Sequence, residues 1–299
     1  MVYWMSCFSG DHYSAVAPAK INLTLRVLGA RADGYHELQS VVAKVTLYDG
    51  IDLFGSDGPA IQLECSTPTL PIDAGNTVWQ AVELMQARME SAPSVRVVLH
   101  KQIPAQAGLG GGSSDAAAVL RLLNRRWKLQ LRPAQLADIA SQIGSDVPCF
   151  CHSGAVWVSG RGESVEPIDL PWAGWLVLVF PPFGVSTAKV YQAWKPAPAL
   201  ETIDPRDCLS PEVNTAEKLS EVLFNDLQDS AFAVEPRLKK IKDLVEDHTG
   251  KQFHLTGSGS TLFACVDSHD EAQELDGQLS QLGTLKSQIT RVITRDDNR

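Results

Sequence analysis

Long positively charged runs are missing from this sequence, and so is any segment long enough to cross a membrane. Lys and Arg total 26 against 35 Asp and Glu, and the net charge of −9 disfavours nucleic acid as a partner. The longest apolar run, Trp175–Phe180, is far shorter than the ~20 residues of a membrane-spanning helix. We therefore expect neither a membrane nor a nucleic-acid partner, and any phosphate ligand must be held by local groups.

A disulfide framework and a signal peptide are missing as well. The 6 cysteines are scattered, mostly in apolar runs, which favours buried thiols in a cytoplasmic protein. The run from Cys149 to His152 has no second pair of ligands, so it is a weak metal motif. Met1–Ser14 has neither the charged start nor the apolar core of a signal peptide. We expect residues 1–14 to be a poorly ordered leader.

Several common catalytic signatures are absent. The phosphate-loop pattern G-x-x-x-x-G-K-[ST], the nucleophile elbow G-x-S-x-G and the zinc motif H-E-x-x-H do not occur. The dinucleotide pattern G-x-G-x-x-G fails because Ser113 stands where the third glycine would follow Gly108 and Gly110. These absences disfavour P-loop nucleotidases, serine hydrolases, zinc peptidases and dehydrogenases.

What is present is a mixture of strand and helix patterns long enough for two domains. A length of 299 residues fits two domains at roughly 150 residues each. We expect an α+β protein with an N-terminal domain over residues 15–165 and a C-terminal domain over residues 166–299. The predicted strands are Ala19–Leu28, Leu38–Val45, Ser94–Ile103, Ala155–Ser159, Trp175–Phe180, Phe253–Thr256, Thr261–Val266 and Ile289–Thr294. The predicted helices are Ala116–Trp127, Pro133–Ile143, Thr215–Phe224, Arg237–His248 and Glu271–Leu282.

The most unusual stretch is a glycine-rich loop between a predicted strand and a predicted helix. Gly108 and Gly110–Gly112 supply four glycines within five positions, and Ser113 and Ser114 are candidates for the helix N-cap. Glycines let backbone amides approach a ligand, and a helix N-terminus favours an anion. The pattern favours a polyphosphate site over the alternative, a plain turn with a helix cap.

Six motifs resemble, in order, those of the GHMP family of small-molecule kinases. They are Pro18–Leu23, Asp33–Ser40, Pro104–Asp115, Gly144–Pro148, Asn225–Leu227 and Thr256–Ala264. The first two are similar to the branch that acts on 4-diphosphocytidyl-2-C-methyl-D-erythritol in the non-mevalonate isoprenoid pathway.

The resemblance implies a fold and a reaction. The fold is two-domain α+β, with a ribosomal protein S5 domain 2-like N-terminal domain and a ferredoxin-like C-terminal domain. The reaction is phosphorylation of the substrate's 2-hydroxyl by ATP with Mg²⁺, in a cytoplasmic monomer or homodimer. The alternatives are another GHMP activity, such as a homoserine or mevalonate kinase, and a ligand-binding protein without turnover.

The resemblance also implies two catalytic residues. Asp146, in a short turn before Pro148, is the base, and Lys20, on an otherwise apolar strand, is its cationic partner. Alternatively Asp146 only caps a turn and Lys20 only reaches solvent from a strand end. Both residues together argue against a pure binding protein, which needs no base beside an ammonium.

Further residues are implied to bind the two substrates. Asn22, Tyr35, His36, Thr187 and Tyr191 are expected to bind the cytidyl substrate, with the rings recognising its pyrimidine, although Tyr191 alternatively belongs to the core. The residues expected to bind ATP are Lys101, Pro104, Gly108, Leu109, Gly110, Gly111, Gly112, Ser113 and Ser114. The second glycine loop, Gly257, Ser258 and Gly259, is expected to approach the site from the C-terminal domain.

Two details of the ATP site are unusual or open at this point. Gln106 and Ala107 stand where the family commonly has glycines, so the conformation at the start of the loop is in question. Ser113 or Ser114 can lend a hydroxyl to Mg²⁺, but the sequence indicates no carboxylate ligand for the ion.

Overall fold

The computed structural model of the protein describes residues 8–9, 11–196 and 204–294. The strands are β1 (Phe8–Ser9), β2 (His12–Ala30), β3 (His36–Gly55), β4 (Ile61–Cys65), β5 (Val95–His100), β6 (Ala155–Gly160), β7 (Ser164–Ile168), β8 (Trp175–Phe180), β9 (Phe224–Asn225), β10 (His254–Leu255), β11 (Leu262–Val266) and β12 (Lys286–Arg291). The helices are α1 (Thr77–Gln86), α2 (Gly111–Arg126), α3 (Pro133–Ala140), α4 (Thr187–Ala193), α5 (Ala216–Val222), α6 (Gln228–Val234), α7 (Pro236–Thr249) and α8 (His269–Ser280). Short 3₁₀ turns cover Pro148–Cys151 and Asp207–Leu209.

These elements form two sheets. The first has the order β1-β2-β3-β5-β4, with β6 also on β3, β7 on β6, and β9 parallel to β2. The second is antiparallel with the order β10-β11-β8-β12. The expected α+β class with two domains is confirmed, because each sheet has its own set of helices.

The two sheets pack face to face between layers of helices. Ala19 and Ile21 of β2 meet Leu176 and Leu178 of β8 in a core between the sheets. A second core joins the first sheet to α1–α3, and a third joins the second sheet to α6–α8. Because apolar side chains cover both faces of β2, its centre is a continuous buried run rather than an alternating one.

The ends of the first domain differ from the sequence prediction. β2 already begins at His12 and pairs with Phe8–Ser9, so the end of the expected leader is ordered in a hairpin. Residues 1–7 and 10 lie outside the described residues. At the other end, β7 pairs with β6 as far as Ile168, so this strand pair crosses the expected boundary after residue 165, which stays a prediction.

The described part of the chain also contains elements that the sequence patterns did not reveal. They are the strands β1, β4, β7 and β9, the helix α1, and the short helices α4 and α6. In α1, the side chain of Asn76 caps the helix by accepting from the amide of Val78 at 2.9 Å. Asn76 is a common N-cap residue, and this signal was available in the sequence.

Candidate active site

A cleft of about 560 Å³ lies between the two domains. Most of the predicted site residues line it, namely Lys20, Asn22, Lys101, Pro104, Gly108, Leu109, Gly110, Gly111, Gly112, Ser113, Asp146, Thr187, Tyr191, Gly257 and Ser258. Four predicted residues are not in its lining, namely Tyr35, His36, Ser114 and Gly259. The structure thus brings together residues from most of the motifs.

Lys20 and Asp146 face each other in this cleft. The Lys20 ammonium lies 3.9 Å from Oδ2 of Asp146, with side chains 8% and 49% exposed respectively. Lys20 comes from the centre of β2, whereas Asp146 lies on the turn between the end of α3 and the 3₁₀ turn at Pro148. A buried ammonium beside an accessible carboxylate is an arrangement suited to proton transfer at a hydroxyl.

Asn22 holds Lys20 in place. Its Oδ1 accepts from Lys20 Nζ at 2.7 Å, and its Nδ2 donates to Ser40 Oγ at 2.8 Å. Its backbone amide donates to Oγ1 of Thr256 in the second domain at 2.9 Å. A spacing of two residues along a strand places Lys20 and Asn22 on one face, and the hydrogen bond between them agrees with that. The Asn22 amide also ties the two domains together.

The glycine loop leads directly into α2. The N-cap is Gly110, in the left-handed conformation at φ 69°, and Ser113 and Ser114 lie in the first turn. The prediction that a serine caps this helix is therefore wrong, because only glycine enters this conformation without cost. No side chain of the described residues caps α2, so its first amides are available to an anion in the cleft.

Two of the loop glycines are also required by close packing. A Cβ on Gly108 would lie 2.5 Å from the carbonyl oxygen of Thr256, and a Cβ on Gly110 would lie 2.9 Å from Cζ of Phe150. The amide of Lys20 donates to the carbonyl of Leu109 at 2.9 Å. The loop is thus packed between β2 and the second glycine loop.

The two replaced glycines behave differently from each other. Ala107 is buried, and its carbonyl accepts from the amide of Thr261 at 3.3 Å. Gln106 has φ 55°, in the left-handed region that a non-glycine residue seldom adopts, and it lines the cleft. The unusual backbone conformation at the start of the loop is therefore the left-handed one of Gln106.

Lys101 is not a free cation. Its ammonium forms ion pairs with Asp49 and, at 2.6 Å, with Oδ2 of Asp115. Both carboxylates are buried, and neither was among the candidate residues from the sequence. Two carboxylates thus already surround the Lys101 ammonium, and its expected role in binding ATP stays a prediction.

The predicted substrate-binding rings are only partly assembled. The ring of His36 lies 5.1 Å from that of Tyr191 and 5.6 Å from that of Trp194, measured between centroids. Tyr35 is 51% exposed, with the Arg161 guanidinium 5.0 Å from its ring centroid. Burial raises the pKa of Tyr191 well above its usual value, so its hydroxyl stays protonated. Tyr191 faces the cleft and His36 packs against it.

The second glycine loop enters the cleft through two of its residues. Ser258 shares a hydrogen bond of 2.8 Å with Thr187, and Asn225 Nδ2 donates to the carbonyls of Leu255 and Gly257, each at 2.8 Å. Gly259 instead faces the core, where an added Cβ would lie 3.2 Å from Leu255 Cδ1. The motif at Asn225 thus fixes the second loop.

Other cleft residues were missed by sequence reasoning. Arg161 lines the mouth at the turn between β6 and β7, and Asn76 and Thr77 line the wall at the start of α1. Thr77 Oγ1 donates to the carbonyl of Gly112 at 2.8 Å. Among the residues described, no group of three or more His, Cys, Asp or Glu is arranged to hold a metal ion.

Comparisons with known proteins agree with this geometry. A family model described as GHMP kinases N terminal domain matches residues 76–154, and one described as GHMP kinases C terminal matches residues 206–284. The 4-diphosphocytidyl-2-C-methyl-D-erythritol kinase of Brevibacillus brevis is 38% identical over 88% of this chain and 90% of its own length. The kinase of the same name from Shouchella clausii is 36% identical over 88% and 89%.

Solved structures show the same similarity. A crystal structure of 4-(cytidine 5'-diphospho)-2C-methyl-D-erythritol kinase has a TM-score of 0.76 at 30% identity, covering 94% of this chain and 99% of that one. A homoserine kinase from Cytophaga hutchinsonii has a TM-score of 0.75 at 16% identity, covering 100% and 99%. The second similarity concerns the fold alone. No helix in the described ranges is both long and apolar enough to span a membrane.

Proposed function

We infer the reaction from one premise: the chain belongs to the GHMP kinase family, whose members use ATP as phosphate donor. It is a kinase that phosphorylates the 2-hydroxyl of 4-diphosphocytidyl-2-C-methyl-D-erythritol, a step of non-mevalonate isoprenoid synthesis. Relatives at 38% and 36% identity carry that name, as does a solved structure at 30% identity. The observation that carries the mechanism is the Lys20–Asp146 pair in the cleft beside the glycine loop.

In the proposed mechanism Asp146 accepts the proton of the attacking hydroxyl. Its half-exposed carboxylate can reach a substrate in the cleft, and it lies 3.9 Å from the Lys20 ammonium. Lys20 also stabilises negative charge that develops on the transferred phosphoryl oxygens. Asn22 orients Lys20, so it acts as a positioning residue.

The glycine loop is the proposed phosphate site. The residues at the start of α2 line the cleft, and no side chain in the described chain caps their amides, so these amides can bind the phosphates of ATP. Their advantage over lysine side chains is that they add no rotamer entropy cost. The net charge of −9 makes such local binding necessary for two anionic substrates.

We propose that Mg²⁺ enters with ATP. Ser113 lines the cleft, and the hydroxyl of Ser114 is buried without a hydrogen-bond partner among the described residues. Oxygen donors of this kind fit the preference of Mg²⁺, so one of these serines is the proposed protein ligand. When bound, the ion would neutralise phosphate charge.

The second domain, with support from His36 of the first, is proposed to recognise the cytidyl group. Tyr191 offers a ring to the cleft, His36 supports that ring, and Thr187 offers a hydroxyl beside Ser258. Aromatic rings bind nucleobases by stacking. Tyr35 is exposed beside Arg161 and lies outside the cleft lining, so its expected contact with the base stays a prediction.

We also propose that the enzyme works in the cytoplasm, as a monomer or homodimer, without nucleic-acid partners. Cys65, Cys149, Cys151, Cys208 and Cys265 are free thiols, which suits a reducing compartment. A size-exclusion measurement of the purified protein distinguishes the two oligomeric states.

A coupled ADP-release assay tests the proposed reaction. The wild type should turn over the cytidyl substrate and neither homoserine nor mevalonate, and Asp146→Asn should lose about 10²–10⁴-fold in kcat. Turnover of homoserine or mevalonate in preference to the cytidyl substrate would contradict the substrate assignment. An Asn variant with nearly full kcat would contradict the role of Asp146.

A further inference from the structure

The buried triad Asp49–Lys101–Asp115 is the most unusual charge cluster beside the cleft. Asp49 comes from β3, Lys101 directly follows β5, and Asp115 belongs to α2. The Lys101 side chain is 7% exposed, Asp115 3%, and Asp49 is fully buried. A buried ion cluster is costly to desolvate, so its presence calls for a role other than stability.

Asp49 binds the chain immediately before the glycine loop. Its Oδ1 accepts from the amides of Gln102 at 2.6 Å and Ile103 at 2.9 Å, while Oδ2 accepts from the Lys101 ammonium. One carboxylate therefore fixes three consecutive residues. Since Pro104 follows them, these contacts determine the direction in which the chain enters the loop.

Lys101 connects Asp49 to the helix at the other end of the loop. Its ammonium donates to Oδ2 of Asp115 at 2.6 Å, and Asp115 lies one turn after the helix start at Gly111. The loop over residues 104–110 is thus anchored at both ends. Asp49 binds the residues before it, Asp115 lies in the helix after it, and both carboxylates bind the Lys101 ammonium.

The loop needs such anchoring because its own sequence does not favour its shape. Gln106 is at φ 55°, where a non-glycine residue is disfavoured by roughly 1–2 kcal/mol. Strained conformations of this kind persist where the surrounding structure determines them. Here the surrounding structure is the triad, together with the contact between Ala107 and Thr261.

The charges of the triad are paired with one another, which favours a role in positioning the glycine loop over a role in binding phosphate. Burial is the main cause that raises the pKa of Asp115, and the Asp49 carboxylate adds to this shift while Lys101 opposes it. The triad does not offer a free positive charge to phosphate, since two carboxylates share the one ammonium.

We propose that Asp49 is a positioning residue for nucleotide binding, which sets the conformation of the glycine loop through the amides of Gln102 and Ile103 and through Lys101. Asp49 acts without touching ATP. The inference rests on the proposed function only in taking this loop as the ATP site.

Binding of Mg·ADP, measured by calorimetry without turnover, tests the inference. Asp49→Ala should raise the Kd about 10- to 100-fold, and Asp49→Asn, which keeps an acceptor for the two amides, should raise it less. The matched control is Asp52→Asn, on the same strand but outside the cleft lining, where the carboxylate binds His12, Ser14 and His100. The control should bind Mg·ADP like the wild type.

Hydrogen exchange supplies a second readout that a general loss of stability does not imitate. In Asp49→Asn without nucleotide, amides in residues 101–110 should exchange faster, while those of β5 at residues 95–100 stay protected. Should Asp49→Ala fail to fold, Asp49→Asn carries the test by both readouts.

The outcomes separate the inference from the proposed function. A wild type that binds Mg·ADP, with folded Asp49 variants that bind it within twofold and show unchanged exchange, would overturn the inference alone. A wild type that does not bind Mg·ADP would contradict the proposed ATP site and overturn the inference with it.

Discussion

The two walls of the cleft differ in charge. The first domain contributes every charged side chain in the lining, namely Lys20, Lys101, Asp115, Asp146 and Arg161. From the described part of the second domain come Thr187, Tyr191, Gly257 and Ser258, none of which is charged. Phosphoryl transfer needs charged groups at the reacting atoms, whereas a neutral base needs shape and stacking. We therefore assign the chemistry to the first wall and substrate recognition to the second.

Among the variants that compare the two walls, the largest effect is expected from removing the Lys20 ammonium of the charged wall. Lys20→Met should lower kcat about 10²–10³-fold, because the ammonium stabilises charge that develops during transfer. Lys20→Arg keeps a charge but changes its shape, so it should recover only part of the rate. Steady-state assays should find both KM values within a few fold of the wild type. A fall in affinity with unchanged kcat would assign Lys20 to binding.

The contact between the walls is tested by Gly108→Ala. Its Cβ would lie 2.5 Å from the Thr256 carbonyl, at a φ of 77°, so urea denaturation should show a loss of about 1–3 kcal/mol in the free energy of unfolding. The matched control is Gly277→Ala in α8, where an added Cβ has nothing within 4 Å and helix propensity improves by up to about 1 kcal/mol. Equal effects at both glycines would contradict the account of loop packing.

The uncharged wall is tested by Tyr191→Ala. Loss of base stacking should raise KM for the cytidyl substrate by about 5- to 100-fold, with KM for ATP unchanged. Tyr191→Phe keeps the ring and should stay near the wild type. If both KM values rose equally, the assignment of Tyr191 to the pyrimidine would be wrong.

The smallest effect on activity is expected from Lys44→Met. Lys44 pairs with Lys20 across β2 and β3, yet it is fully buried and donates to the Gly154 carbonyl at 2.7 Å rather than lining the cleft. We expect kcat within about threefold of the wild type, since catalysis depends on charges that face the substrate. A large loss of kcat would mean that the buried Lys44 ammonium also contributes to catalysis.

Lys44→Met should increase the stability of the folded protein, although it leaves the activity nearly unchanged. Burial lowers the pKa of Lys44 from 10.5 to about 8, so between these values the unfolded chain holds a proton that the folded chain has lost. Wild-type stability should therefore gain from this group as pH rises through that window, and Lys44→Met should remove the gain. At pH 7 the variant should be more stable by about 1–3 kcal/mol in thermal or urea unfolding.

Local sequence patterns predicted those parts of the site that depend on short-range geometry. Alternation along β2 places Lys20 and Asn22 on one face, and the end of the predicted helix at Ile143 leaves Asp146 in a turn before Pro148. The resemblance to the family added the roles of these residues, which remain predictions.

The parts that depend on distant residues were not predicted. Lys101 is charge-paired with Asp49, and nothing near Lys101 in the sequence indicates that partner. The N-cap at Gly110 is fixed by packing against Phe150 and Lys20, which a local cap preference cannot show. Long-range pairing and close packing are properties of the folded chain.

One measurement tests the division between the two walls most directly. It is the single-turnover rate of phosphoryl transfer with ATP and cytidyl substrate both saturating, compared between Lys20→Met and Tyr191→Ala. The account predicts that Lys20→Met stays slow at saturation, whereas Tyr191→Ala reaches the wild-type rate once its weaker binding is overcome. A Tyr191→Ala rate that stays as slow as that of Lys20→Met would contradict it.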